Sequence, residues 1–89
     1  MADPINPGDV LNGMYGELWL VLDVTTPEDG VPTVRYKPVT YSTVFFGKER
    51  TRKFTGWATR THTLAMVREH APEKVDPKLA ADVLRWWKG

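Results

Sequence analysis

The sequence predicts a small, mainly β domain that ends in one helix. The chain has 89 residues, of which 42% are hydrophobic, and this suits one folded domain without room for a second. Turn residues separate four or five short runs that are rich in β-branched and aromatic side chains, which is the pattern of antiparallel strands. Residues 77–88 instead repeat apolar side chains at helical spacing. We therefore expect an α+β fold dominated by a small antiparallel barrel or curled sheet of four or five strands.

The first part of the chain predicts two strands joined by a tight turn. Val10 starts a strand, and Asn12-Gly13 is a strong hairpin-turn signal because both residues tolerate positive φ. Gly16 offers a second turn position. Residues 18–24 form a run that is apolar on both faces, so this strand should be buried or central in the sheet.

The middle of the chain predicts two further strands. Residues 31–46 read as extended chain. Within residues 34–37, apolar and basic side chains alternate, and residues 41–46 are rich in β-branched and aromatic side chains. Pro38 removes a ladder donor, so this strand should lie at a sheet edge or break there. Residues 47–50 resemble a hairpin loop, and 51–59 form a fourth extended run with Gly56 as a candidate bulge.

Two helical segments are expected after Trp57. Residues 61–70 favour a short helix capped by Thr61 or Thr63, with a strand as the alternative. Residues 77–88 form the clearest element, because Asp76 suits an N-cap and the proline after it suits the first helical position.

The two adjacent tryptophans of this last helix lie about 100° apart around its axis. Trp87 continues the apolar stripe, and Trp86 lies at its border. We expect one ring in the core and the other exposed as a contact point for a protein partner. The alternative is that both rings fasten the helix to the sheet.

Charge is strongly segregated along the chain. Residues 1–34 carry six acidic and no basic side chains, whereas residues 35–60 carry seven basic and one acidic. The formal net charge is nevertheless only +1. Such segregation indicates either a basic binding face or acidic strands paired beside basic ones.

Five segments resemble the SH3-like small β-barrels of short, uncharacterised phage and bacterial accessory proteins: Pro7–Leu11, Leu18–Val24, Val34–Val39, Trp57–Arg60 and Leu64–Val67. The resemblance covers residues 7–72 and implies a barrel there, with the 77–88 helix appended within a single 1–89 domain. The basic loop around Lys48 departs from the pattern. Because such barrels bind nucleic acids, peptides or proteins, the resemblance implies a binding module.

Two sets of residues are candidate binding sites. For a protein partner or a second copy, the candidates are Trp86, Trp87, Arg50, Arg52 and Lys53. For nucleic acid, the alternative partner, cations would meet phosphates and rings would stack on bases. That set is Arg35, Lys37, Lys48, Arg50, Arg52, Lys53, Trp57 and Arg60. The third interpretation is a solvated hairpin whose cations balance the acidic strands.

Catalytic and cofactor functions are not expected. The chain has no cysteine, Ser42 is its one serine, and no nucleophile–histidine–acid order stands out. His62 and His70 lie eight residues apart without a metal motif and are expected to be ordinary surface histidines. Nothing fixes the separation of the carboxylates at positions 9, 17 and 23. We expect a non-enzyme that needs no cofactor, metal or small-molecule substrate.

No targeting or membrane-spanning segment is evident. The first residues are Met-Ala-Asp-Pro, without a basic region or a long apolar run. The longest wholly apolar run is the five residues Leu18–Leu22, which cannot span a bilayer. We expect an intracellular protein that has no contact with membranes.

Overall fold

A computed structural model describes residues 4–88 and shows an antiparallel sheet of five strands. The strands are β1 (Val10–Asn12), β2 (Leu18–Thr25), β3 (Thr33–Phe46), β4 (Glu49–Gly56) and β5 (Arg60–Thr63), and the helices are α1 (Leu64–His70) and α2 (Pro77–Lys88). The sheet order is β1-β2-β3-β4, and β5 also pairs with β3. β4 and β5 follow one another along the β3 edge opposite β2.

Two hydrophobic cores form, one on each face of the sheet. On the face we call the α1 face, side chains of the sheet pack against Val67 and Ala71: Leu11, Trp19, Val21, Val34 and Tyr36. On the other face, the α2 face, the sheet packs against Val83 of α2: Val10, Leu18, Leu20 and Val39. Alternate residues of β2 thus enter different cores, which explains why this strand is apolar on both faces.

Of the two expected forms, a small barrel or a curled sheet, the barrel is wrong, whereas the prediction of a mainly antiparallel β domain with a C-terminal helix is confirmed. A small barrel has one buried inner face. β2 presents apolar side chains on both faces, and each face requires its own cover. The two helices supply that cover, and the sheet between them stays open.

Pro38 lies in the central strand, so the expectation of an edge or broken strand there is wrong. Its carbonyl accepts from the Trp57 N–H at 2.9 Å, which shows that its missing donor position faces the β4–β5 side. Residues 57–59 belong to no strand. The proline therefore removes a donor where the neighbouring strand is itself interrupted.

The first turn differs from the expected one. Residues 13–17 form the connection between β1 and β2, and positive φ occurs at Tyr15 and Gly16, not at Asn12-Gly13. Gly13 is required for another reason. A Cβ there would lie 2.5 Å from Nε1 of Trp19, which is closer than any real side chain could lie.

The predictions of the second hairpin and of the fourth strand are confirmed with shifted boundaries, but Gly56, the candidate bulge, pairs with Val39 in regular register. The loop at 47–50 is a two-residue turn, since Phe46 already pairs with Glu49. Gly47 has φ 62°, as the first residue of a type II′ hairpin turn requires. The predicted fourth strand ends at Gly56 without reaching residue 59.

Residues 60–70 satisfy both predicted alternatives in succession, as strand β5 and then helix α1. Thr63 is the N-cap of α1, because its hydroxyl accepts from the Met66 N–H at 3.2 Å. Asp76 caps α2 by accepting from the Lys78 N–H at 2.9 Å. Neither helix of residues 4–88 is long and apolar enough to cross a membrane.

One ring of the tandem tryptophans is packed and the other is exposed, as expected. The apolar stripe, which Trp87 continues, indicated the opposite assignment of the two rings. Trp86 packs into the α2-face core, and Trp87 is 46% exposed. The base of the β3–β4 hairpin lies on the Trp86 side of the helix, where the ring of Phe54 is 5.9 Å from the Trp86 ring. The packing partner, and not the helical stripe alone, decides which ring is buried.

β3 extends well beyond the rest of the sheet. β2 pairs with it only from Thr33 to Val39, and past that point β3 pairs with β4 alone. We call residues 40–55 the arm. With seven residues in each strand it is about 20 Å long, and it gives the described chain its 54 × 26 × 21 Å dimensions.

Candidate binding surface on the arm

The arm is a β-ribbon with an unusually exposed set of large side chains. Its residues 41–53 are all exposed. Near its tip, Phe45 is 65% exposed and Phe46 is 82% exposed. Exposed apolar residues are ordinary when scattered, but a cluster at the end of a projection is typical of an interaction site.

Aromatic rings line the α2 face from the arm to the end of α2. The centroid distances are 5.9 Å between Tyr41 and Phe54, 5.9 Å between Phe54 and Trp86, and 6.3 Å between Trp86 and Trp87. These distances fall within the range of favourable aromatic contacts. The row begins on the sheet, continues through the partly buried Phe54 and Trp86, and ends at an exposed indole.

Cations lie over the exposed rings of this face. The Arg50 guanidinium lies 5.9 Å from the centre of the Phe45 ring, and that of Arg52 lies 6.0 Å from the Tyr41 ring. At the base of the arm, Lys37 Nζ lies 5.4 Å from the Trp87 ring. Each distance is within the limit of about 6 Å for cation–π attraction.

An ion pair fixes the arm to α2. Arg52 Nη1 lies 2.7 Å from Oδ2 of Asp82. Arg85, one turn later on the helix, lies 3.8 Å from the other oxygen of that carboxylate. One acidic side chain of α2 thus bridges two arginines at the edge of the aromatic row.

Acidic side chains from the first third of the chain pair with basic residues of the body, by which we mean the described residues outside the arm. Arg35 pairs with Asp23, and Arg60 lies 3.4 Å from Glu17. Lys74 lies 3.4 Å from Asp9. Among residues 4–88 these acids form no ion pair with the arm, so the pairing of acidic with basic segments accounts for the charges of the body only.

We call the arm, Lys37 at its base and residues 82–87 of α2 the basic end. Among the described residues it contains six basic side chains, Lys37, Lys48, Arg50, Arg52, Lys53 and Arg85, and two acidic ones, Glu49 and Asp82. Its local field is therefore positive, although the chain as a whole is close to neutral.

The structure brings most of the residues predicted to bind a protein partner to one face. Arg50, Arg52, Trp86 and Trp87 all lie on the α2 face. Lys53 pairs with Ser42 in the ladder and by alternation points to the α1 face. Trp86 belongs to the core and offers little free surface.

The residues predicted to bind nucleic acid are divided between the arm and the body. Arg35 and Arg60 lie on the body and are paired with acids. Trp57 lies on the α1 face of the sheet, where its Nε1 donates to Thr40 Oγ1 at 3.0 Å. The other five candidates belong to the basic end: Lys37, Lys48, Arg50, Arg52 and Lys53.

The two histidines line a cleft of about 250 Å³ on the α1 face, together with Trp19, Tyr36 and Arg60. His62 lies 5.9 Å from the Tyr36 ring. Burial raises the pKa of Tyr36, and the neighbouring Arg60 opposes that shift. Within residues 4–88, no three histidine or carboxylate side chains are grouped so that they could hold a metal ion.

Sequence reasoning missed the contribution of Tyr41, Phe45 and Asp82. Neither ring was among the candidate site residues, because the length of the unsupported hairpin is not visible in local patterns. Asp82 is an ordinary acidic residue in a helix until the fold places it beside Arg52. The available signal was that residues 39–46 contain no charged side chain, although an exposed strand usually carries some.

In comparisons with known proteins, no family model matches the chain, and no curated protein or solved structure is significantly similar to it.

Proposed function

We propose that this protein is a non-catalytic binding module that holds a protein partner on the α2 face of the arm and on Trp87. The observation that carries the proposal is a group of exposed rings on one face, two of which lie beside arginines. Phe45 lies under Arg50, Tyr41 lies under Arg52, and Trp87 is 46% exposed. Aromatic residues and arginine are the residue types that dominate binding energy in protein interfaces.

The charge of the basic end indicates the character of the partner. Six basic and two acidic side chains make this end positive, so the complementary surface should be acidic around an apolar centre. Arg52 is already paired with Asp82 and serves to hold the surface in shape. Arg50 is the arginine most available to a partner, since its described contact is with a ring.

The carboxylates considered for catalysis lie outside the proposed surface, and they support no catalytic proposal. The acidic side chains that acid–base chemistry would need are each bound to a different basic residue: Asp9 to Lys74, Glu17 to Arg60 and Asp23 to Arg35. The resemblance of residues 7–72 to SH3-like binding modules points to binding as well, although the sheet here is open.

Nucleic acid is the second candidate partner. It is favoured by the positive field of the basic end and by the alternation of cations and rings along a β-ribbon. It is disfavoured by the pairing of Arg35, Arg52 and Arg60 with carboxylates. The tip of the arm also exposes two phenylalanines next to Lys48, so it is not purely cationic.

Site-specific photo-crosslinking in the native host tests the proposal. A photoreactive phenylalanine analogue is placed at Phe45 and, as the matched control, at Tyr15, which is 92% exposed but lies in the β1–β2 loop. We expect position 45 to give one discrete adduct with a protein other than this chain, and position 15 to give none. Arg50→Glu should weaken the adduct. Equal adducts from both positions, or none from position 45, would contradict the proposal.

A titration of labelled DNA and RNA separates the second candidate from the first. If the basic end makes about four phosphate contacts, raising salt from about 50 to about 200 mM should weaken binding roughly 100-fold. Such binding, abolished by Arg50→Glu together with Lys53→Glu, would replace a protein partner with nucleic acid. Absence of binding at the lower salt would remove that candidate.

A further inference from the structure

One edge of the arm has no neighbouring strand. β2 begins at Leu18, which pairs with Val39, so it leaves β3 uncovered from Thr40 onward. On the opposite edge β3 pairs with β4 all the way to Phe46. No strand within residues 4–88 pairs with the free edge of residues 40–46.

The hydrogen-bonding groups at this free edge can be assigned. The Pro38 carbonyl accepts from Trp57 and therefore faces the β4 side. Because backbone groups of successive residues in a strand face alternate edges, those of Tyr41, Thr43 and Phe45 face the free edge. Three N–H donors and three C=O acceptors are thus presented in a row.

The two edges of the arm differ in their protection against pairing. β4 carries four charged side chains, Glu49, Arg50, Arg52 and Lys53, and charges on an edge strand oppose the addition of another strand. Residues 40–46 contain no charge, no proline and no glycine, and all are threonine, serine, valine, tyrosine or phenylalanine. A long, uncharged, exposed edge of this composition is suited to pairing.

We propose that residues 40–46 pair with the same segment of a second copy of the chain, antiparallel and about a two-fold axis at Thr43. In this register Thr43 faces Thr43 of the second copy, and Tyr41 faces Phe45 of the second copy. All three residues whose backbone groups face the free edge then meet their counterparts in hydrogen-bonded pairs. The pairing joins two arms into one four-stranded sheet.

The strand's own pattern favours a second copy as the occupant. Tyr41, Thr43 and Phe45 share the α2 face by alternation, so the two-fold axis creates two aromatic cross-strand pairs on one face. No like charges are opposed, because the paired strands carry none. The cationic β4 strands lie three strand spacings apart, about 14 Å, which exceeds the screening length of about 8 Å at physiological ionic strength.

Pairing through a backbone edge goes beyond the proposed function. A monomeric protein would overturn the pairing without affecting the protein-binding face. An adduct of the Phe45 crosslinker with a second copy of this chain would support the pairing and not the proposed partner, because the pairing places Phe45 opposite Tyr41 of the second copy. An adduct with a different protein would support the proposed function, so the mass of the adduct separates the two.

Sedimentation across a range of concentrations tests the pairing with two variants at one position. Thr43→Pro removes an N–H that faces the free edge and is not used by β4, whereas Thr43→Val keeps it. We expect dimers for the original chain and for Thr43→Val, and monomers for Thr43→Pro with unchanged near-ultraviolet circular dichroism. A monomeric original chain, or a Thr43→Pro chain that dimerises as well as the original, would overturn the proposal.

A thiol cross-link gives a second readout that does not depend on proline. The chain has no cysteine, so a single introduced thiol is specific. Thr43→Cys places two thiols at a pair whose Cα atoms are about 5.5 Å apart, and a short bis-maleimide should give a covalent dimer. Thr51→Cys on the charged β4 edge is the control and should give none. Equal cross-linking of both variants would contradict the two-fold axis at Thr43.

Discussion

The Trp86 ring lies directly over Gly56, where β4 ends. A Cβ at Gly56 would come within 2.8 Å of Cη2 of Trp86 and 2.5 Å of Cε of Lys37. The lysine side chain is flexible and can move aside, but the tryptophan is held by the α2-face core. The absence of a side chain at Gly56 is therefore what lets the last turns of α2 approach the base of the arm.

Gly56→Ala should destabilise the protein by about 1–2 kcal/mol, because overpacking typically costs about 1–3 kcal/mol and the loss of unfolded-chain entropy offsets less than about 1. Urea unfolding measures the effect. In the Trp86→Leu background the same change should cost markedly less, as expected for residues in contact. An equal cost in both backgrounds would show that the ring is not the obstacle.

The tandem tryptophans should respond differently to truncation. Trp86→Ala removes a ring from the α2-face core and should cost about 3 kcal/mol, the lower end for tryptophan because the residue is only half-buried. Trp87→Ala, at a 46% exposed position, should cost less than about 1 kcal/mol. Thermal and urea unfolding of the two variants would decide this. Similar losses of stability for both variants would contradict the observed difference in burial. Because Trp87→Ala should leave the fold intact, Trp87 is the position to vary in binding assays.

The ion pair between Arg52 and Asp82 should contribute modestly to stability. Its side chains are 43% and 32% exposed, and partly exposed pairs are worth about 0.2–1 kcal/mol. A double-mutant cycle with Arg52→Ala and Asp82→Ala measures the coupling. We expect salt to reduce it. A coupling well above 1 kcal/mol would mean that the pair governs the packing of the arm on α2 and does more than orient it.

Tyr36 should make stability fall at alkaline pH. Burial raises its pKa above the ordinary value of 10.0, so the folded protein holds this proton more tightly than the unfolded chain does. The resulting stabilisation is fully present below pH 10 and is lost as pH rises toward the folded pKa. Tyr36→Phe should therefore reduce the loss of stability between about pH 9 and about pH 11.

Tyr15→Phe is the control for that experiment, because Tyr15 is 92% exposed and should leave the alkaline slope unchanged. If Tyr36→Phe and Tyr15→Phe give the same slope as the original chain, other groups account for the alkaline loss. Tyrosinate absorbance would report the ionisation of Tyr36 directly.

Local signals in the sequence were sufficient for most of the secondary structure. Four such signals act through neighbours within a few residues: the apolar run at 18–24, the turn before Val31, the glycine at 47 and the cap at Asp76. Such interactions do not depend on the rest of the fold. The Asn12-Gly13 turn signal was misleading, since the turn uses Tyr15 and Gly16, and Gly13 instead leaves room for the Trp19 ring.

Only part of the candidate site could be predicted from the sequence. Arg50, Arg52 and the tryptophans could be chosen because their residue types favour binding, but the roles of Trp86 and Trp87 were decided by contact with Phe54. Arg35 and Arg60 looked as available as Arg50 until Asp23 and Glu17 were found beside them. The partner of a charge is a long-range property, and spacing along the chain does not contain it.

By itself the sequence determined that this chain forms a small antiparallel sheet with a capped C-terminal helix, because strand period, turn residues and caps are local. Only the tertiary structure decided that the sheet stays open between two helices and that its longest hairpin projects beyond them. The physical reason is that both faces of β2 must be covered, and two short helices cover the sheet only as far as Val39 and the base of the arm. The remaining strand length is exposed, and it provides the surface and the edge proposed here for binding.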